Sequence, residues 1–227
     1  MSTPQNPPPA PHAPVAAVPA PLSRERSLAI FAQTMGLVAI TCLFAALGAW
    51  IGRDLGGLWF LLPWILALGC IIGLNVANAK GMTQLALVLL FATGLLLGIS
   101  IGYTVKYYAV TNASAVYQAV GATALFVGAL GAGGYSIRKD LSFLYRFLFF
   151  ALLALIVFGI VLIFVNLPGG MLIYSILGLV IFGAYVLVDF NLMRRAGQEM
   201  VIPLAAGIFI SVLNIFLFFL QIFGGGR

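Results

Sequence analysis

MLIYSILGLVIFGAYVLVDFNLMRR, residues 171–195, decides the fold class. Its one charged residue before the closing Arg194-Arg195 pair is Asp189. A helix needs about 20 mostly apolar residues to cross the hydrocarbon core of a bilayer. A barrel strand would need only about 10, in strict alternation, and this run is continuous. The stretch therefore reads as a transmembrane helix over 171–193, because a helix satisfies its own backbone hydrogen bonds in lipid.

Working outward, six more runs of the same kind lie near 28–52, 57–79, 82–104, 113–137, 142–165 and 201–223. Arg53-Asp54, Lys80, Lys106, Arg138-Lys139-Asp140 and Pro168-Gly169-Gly170 punctuate them. Composition agrees, with 63% of residues apolar and 7% charged, against roughly 45–50% and 25% in soluble domains. An ordinary soluble enzyme and a disordered chain are both excluded. The predicted class is an all-α integral membrane protein with seven transmembrane helices, whose first partner is the lipid bilayer.

Residues 1–27 stand apart. They hold eight of the 11 prolines and end in Arg24-Glu25-Arg26. This stretch predicts a disordered, Pro-rich tail ahead of a seven-helix domain over 28–227. It is not a signal peptide, since no basic segment precedes an apolar one. The net charge of +6 would suggest nucleic acid in a soluble protein. Here the basic residues separate apolar runs, so the reading is orientation and no nucleic-acid partner. Counted over seven spans, one side holds Arg24, Arg26, Lys80, Arg138, Lys139, Arg146, Arg194 and Arg195, and the other holds Arg53, Lys106 and Arg227. The positive-inside rule then predicts a cytoplasmic N-terminus.

Small residues recur every fourth position. Gly94, Gly98 and Gly102 do so in span three, Gly48 and Gly52 in span one, Gly69 and Gly73 in span two, and Ala124, Gly128 and Ala132 in span four. Such stripes let backbones approach closely in lipid, and the first reading is packing within the chain. Cys42 and Cys70 both fall inside apolar runs and read as packing residues.

Catalytic chemistry is sparse. The lone histidine, His12, lies in the tail. No HExxH and no P-loop occur, and GAGGYSIRK at 131–139 lacks the required order. The sequence points to no enzyme, no cofactor and no metal site. The sharpest feature is Asp189, four residues from the end of its span and about 6 Å inside the boundary. A carboxylate in lipid must find a partner, face water or bind a proton. Two readings stand: a gate whose bond depends on protonation, or a static bridge to Arg194, Arg195, Lys80 or Arg146. In span seven, Ser211 and Asn214 share a helical face. Counting residues puts Asp189 and Ser211 about 9 Å apart in depth. Asp140 is expected to cap the start of span five.

Three stretches carry a family resemblance: GGYSIRKDLSFL at 133–144, SILGLVIFGAYVLVDFNLM at 175–193, and IPLAAGIFISVLNIFLFFLQIFG at 202–224. They resemble the Bax inhibitor-1 family, also called the transmembrane Bax inhibitor motif family, in its bacterial branch. The resemblance implies seven helices with the last one central and the other six around it, in a bacterial inner membrane. It also implies a calcium-permeable leak controlled by pH. There, a carboxylate on helix six pairs with one on helix seven, and an arginine near the end of helix two competes for the former. Asp189 matches the helix-six acid and Asn214 is present, but Ser211 stands where the family has its second aspartate. Lys80 is a near match for the arginine. The resemblance thus places Asp189, Ser211, Asn214 and Lys80 around an ion pathway, and Arg146 joins these candidates by its position one turn into span five. Bacterial relatives also imply an alternative role, a non-conducting regulator that binds a membrane-anchored ATP-dependent protease.

Overall fold

The computed structural model describes residues 24–165 and 167–225. The expected tail at 1–23, His12 included, and Arg227 lie outside the described residues. Among the described residues, seven helices are long and apolar enough to cross a membrane. They are α1 (Arg24–Gly52), α2 (Leu61–Ala79), α3 (Thr83–Thr111), α4 (Ala113–Ser136), α5 (Leu144–Phe164), α6 (Gly170–Met193) and α7 (Val201–Phe223). Short 3-10 turns at Gly57–Phe60 and Gln198–Met200 lead into α2 and α7.

Helix boundaries differ from the sequence reading where a helix continues past the hydrocarbon. The Arg24-Glu25-Arg26 segment, expected as tail, is the first turn of α1. Charged residues are good helix formers once outside the lipid. Likewise α3 runs on through Lys106 to Thr111. Asn112 alone then separates α3 from α4, closing the first and opening the second, with its side-chain oxygen accepting from the Ala115 N–H at 3.3 Å. The α2–α3 connection is equally tight, and Gly81 supplies the positive φ of 72° that its turn requires.

In lipid no hydrophobic effect drives helices together, so close packing must do it. The α1–α3 pair shows how. A Cβ on Gly98 would collide with the Ala45 carbonyl, on Gly48 with the Leu95 carbonyl, and on Gly102 with Ala49 and Gly52. The stripes of spans one and three are therefore a backbone-to-backbone contact inside the chain. Span four behaves otherwise. Gly128 meets nothing within 4 Å and lines an open groove with Ala124, Ala132, Leu28 and Met35. The approach of α4 to α6 uses Gly134, set against the Leu187 carbonyl, and Gly131, set against the Phe190 ring. Gly69, too, has no neighbour within 4 Å.

Helix α7 occupies the centre and packs against α1, α2, α3, α4 and α6. Large apolar side chains fill its buried face, among them Ile208, Phe209, Ile215 and Phe218. Helix α5 is peripheral, and α6 is its main neighbour. Five buried hydroxyls are satisfied locally, Thr41, Thr93, Ser100, Thr123 and Ser175 each donating to the carbonyl four residues earlier, whereas the buried Thr34 hydroxyl has no partner among the described residues.

The two ends of the bundle are tied separately. At one end the Ser27 and Tyr135 hydroxyls bond at 2.9 Å, and the Asn78 amide donates to the Glu199 carbonyl at 2.9 Å. At the other, Lys106 pairs with Asp54, and Arg53 lies 4.9 Å over the Trp50 ring. Both members of the Lys106–Asp54 pair are about half exposed or more, so its contribution is small.

The glycine contacts yield a paired test. Gly98→Ala should cost about 1–3 kcal/mol by overpacking the α1–α3 seam. Gly128→Ala should stay within about 0.5 kcal/mol. Thermal unfolding of the two detergent-purified variants measures the difference. Equal stability would mean that α1 and α3 are not in backbone contact.

Candidate functional site

Asp189 sits near the end of α6 and is 5% exposed. The helical repeat places Phe182, Tyr185 and Asp189 on one face of α6, at spacings of three and four residues. Tyr145, in the first turn of α5, donates its hydroxyl to Asp189 Oδ1. Among the described residues this is the one side-chain hydrogen bond that α5 makes. On the α7 side, a Cβ added to Gly207 would lie 3.4 Å from Asp189 Oδ2, so the bare glycine backs that oxygen. Ser211, one turn further along α7, is 3% exposed. Its hydroxyl makes no hydrogen bond with another described residue. Tyr145, Tyr185, Asp189, Gly207 and Ser211 all line one cavity of about 400 Å³, shared by α5, α6 and α7.

Residue counting predicts that Asp189 and Ser211 differ in depth by about 9 Å, and both line the one cavity. The other expected neighbours stay away. The Asn214 amide donates to the Ile210 carbonyl of its own helix at 2.8 Å. Lys80 and Arg146 are exposed, and neither forms an ion pair among the described residues. Arg194 reaches the Arg138 carbonyl at 3.4 Å. Arg195 binds Asp140 at 3.0 Å and Asn191 at 2.6 Å. None of the four cations weighed as a static bridge meets Asp189; a tyrosine does.

Asn191 is the second polar residue that α6 buries here, at 1% exposure. Its amide donates to the carbonyls of Gly134, Ile137 and Lys139 at 3.3, 2.7 and 3.1 Å. Its oxygen accepts from the Leu141 N–H at 3.1 Å and from Arg195. One side chain thereby holds the whole α4–α5 connection against α6 and sets where α5 begins, hence where Tyr145 stands. Asp140, expected to cap α5, instead accepts the Ser142 N–H at 2.8 Å in the connection itself, and α5 starts at Leu144 without a side-chain cap. The Ser142 N–H and, secondarily, Arg195 hold the Asp140 carboxyl below its ordinary range. Its pairing is thus complete above about pH 4 and is lost only as pH falls through the lowered value.

Tyr145 and Asn191 escaped the sequence reading. Each had a signal: Tyr145 adjoins Arg146, the residue singled out, and Asn191 lies two positions from Asp189 in an apolar run. Among the described residues, no three His, Cys, Asp or Glu side chains group as metal ligands would.

Comparison with known proteins bears on this arrangement. The family model described as "Inhibitor of apoptosis-promoting Bax1" matches residues 28–227. An uncharacterised protein of Caulobacter vibrioides is 31% identical over 172 residues, covering 71% of this chain and 67% of its own length. An uncharacterised membrane protein of Vibrio cholerae is 28% identical over 131 residues, covering 57% and 59%. An uncharacterised protein of Chlamydia muridarum is 30% identical over 211 residues, covering 84% and 87%.

The two polar residues of α6 should differ in stability cost. Tyr145→Phe removes one donor from Asp189 and should cost about 1–3 kcal/mol. Asn191→Leu strands several backbone groups at once and should cost about 3–5 kcal/mol. Thermal melts at pH 8, where neither Asp140 nor the proposed protonation of Asp189 intervenes, should give this ranking. An Asn191→Leu protein as stable as the parent would remove Asn191 from this role.

Proposed function

From membership of the Bax inhibitor-1 family, to which this chain belongs, we propose that it is a calcium-permeable leak channel of a bacterial inner membrane, gated at Asp189. The observation that carries the reading is the buried Asp189 carboxylate, held among the described residues by Tyr145 alone at the wall of the cavity shared by α5, α6 and α7. An ionisable side chain inside a membrane bundle marks a pathway or a switch more often than a strut.

Tyr145 is the latch in this mechanism. Its hydroxyl donates to a carboxylate, a charge-assisted bond roughly twice as strong as a neutral one. Taking up a proton on Asp189 reduces the bond to the neutral kind. Helix α5, joined to α6 otherwise by apolar contact, is then free to shift and open the cavity. The titratable groups facing Asp189 are Tyr145 from α5 and Tyr185 from α6; α7 contributes Gly207 and Ser211, which do not titrate in this range. Ser211 stands where related proteins are expected to hold a second acid, so one carboxylate and one phenol replace a carboxylate pair. The larger share of basic residues at the end bearing Arg138, Lys139, Arg194 and Arg195 supports placing that end, and the N-terminus, in the cytoplasm.

Calcium uptake into proteoliposomes at pH 6 and pH 8 tests the reading. Tyr145→Phe should raise uptake several-fold by releasing the latch. Asp189→Asn should abolish the difference between the two pH values, and Ser211→Asp should enlarge it. Uptake no greater than in empty vesicles, for parent and variants that fold, would sink the channel reading and leave the protease-binding role.

A further inference from the structure

We infer that the cavity between α5, α6 and α7 binds a small monovalent organic cation, an aryl- or alkylammonium ion, with its charge against Asp189. The inference rests on the preceding reading only in taking this cavity as the functional site; it does not require conduction. Charge is the first ground. Asp54 has Lys106 and Arg53, and Asp140 has Arg195. Asp189 is buried without any cation among the described residues, so its ionised form lacks a counter-charge that an entering ammonium would supply in place of a proton. One carboxylate balances one positive charge. Calcium would need six to eight oxygen ligands, which a single carboxylate with a few hydroxyls does not provide.

The walls are the second ground. Tyr145, Tyr185 and Phe182 all line the cavity. Their rings form a continuous series, with centroids 6.2 Å apart for Tyr145–Tyr185 and 6.0 Å for Phe182–Tyr185. Aromatic faces attract ammonium groups, more strongly once water is excluded. The volume of about 400 Å³ falls within the range of small-molecule sites. A third ground is the distribution of hydrogen-bonding groups. Tyr145 occupies Oδ1 of Asp189, while Oδ2 lies beside Gly207, where no side chain intervenes. The buried Ser211 hydroxyl, unpartnered among the described residues, stands on the same wall as an acceptor for a second ammonium proton.

Phenethylammonium chloride, titrated into the full-length protein in detergent micelles by isothermal calorimetry, tests this without any flux. The neutral isostere 2-phenylethanol is the control. Saturable binding of the amine is expected, at least tenfold tighter than of the alcohol. Asp189→Asn and Gly207→Val should each weaken it tenfold or more, the first by removing the charge and the second by filling the space beside Oδ2. No saturable amine binding, equal binding of the alcohol, or parental affinity in Asp189→Asn would overturn the inference. Should Asp189→Asn fail to fold, parental affinity in Gly207→Val overturns it instead. Amine binding without calcium uptake would separate this site from the channel reading, and uptake without amine binding would do the reverse.

Discussion

Hydrocarbon offers no hydrogen bonds, and every other feature of this protein follows from that. Each helix must close its own backbone ladder, and each buried hydroxyl must find an acceptor within reach. The chain meets the second demand cheaply at Thr41, Thr93, Ser100, Thr123 and Ser175, by turning them back on their own helices, and leaves it unmet at Thr34 among the described residues. Because lipid tails are as apolar as leucine, helix association then depends on how closely backbones meet. The glycine seam between α1 and α3 supplies that closeness on one side of α7, and Gly131 and Gly134 supply it on the other.

Against this economy the two polar residues near the end of α6 stand out, and they use opposite strategies. Asn191 is saturated, bonding three carbonyls, one N–H and one guanidinium. A group so fully engaged is a fastener, fixing the connection from which α5 departs. Among the described residues Asp189 has one donor, and it lines a cavity. An acid left half-satisfied at the wall of a cavity retains capacity to bond something else. The fastener makes the latch usable, because Tyr145 reaches Asp189 only if α5 starts where Asn191 holds its leading loop.

The candidate site was half legible in the amino-acid order. Asp189 announced itself because a charge in an apolar run is expensive wherever the run folds. Its partner did not, since the cations near that end of the bundle, Arg194, Arg195, Lys80 and Arg146, were the electrostatically obvious choices. Those side chains have exposed positions or backbone acceptors available, and a charged head in water gains little by entering the bundle. Tyrosine carries an apolar body with a single polar tip, so it can enter and still donate. Ser211 was legible as a residue, while its place in the cavity of Asp189 depends on how α6 and α7 pack, which residue counting does not give.

By itself the sequence determined the class: seven apolar helices, their order, and the small-residue seams available to them. Length and composition suffice for that, because the bilayer imposes the same thickness and the same ban on unpaired backbone on every span. Which seams were used was a tertiary decision. Gly98 closes on a neighbouring backbone and Gly128 faces open space, although both sit at the middle of small-residue stripes with the same four-residue spacing. The pairing of Tyr145 with Asp189, 44 residues apart in the chain, was likewise settled in three dimensions. A helix presents only one face to its neighbours, and its rotation depends on the packing of every helix around it.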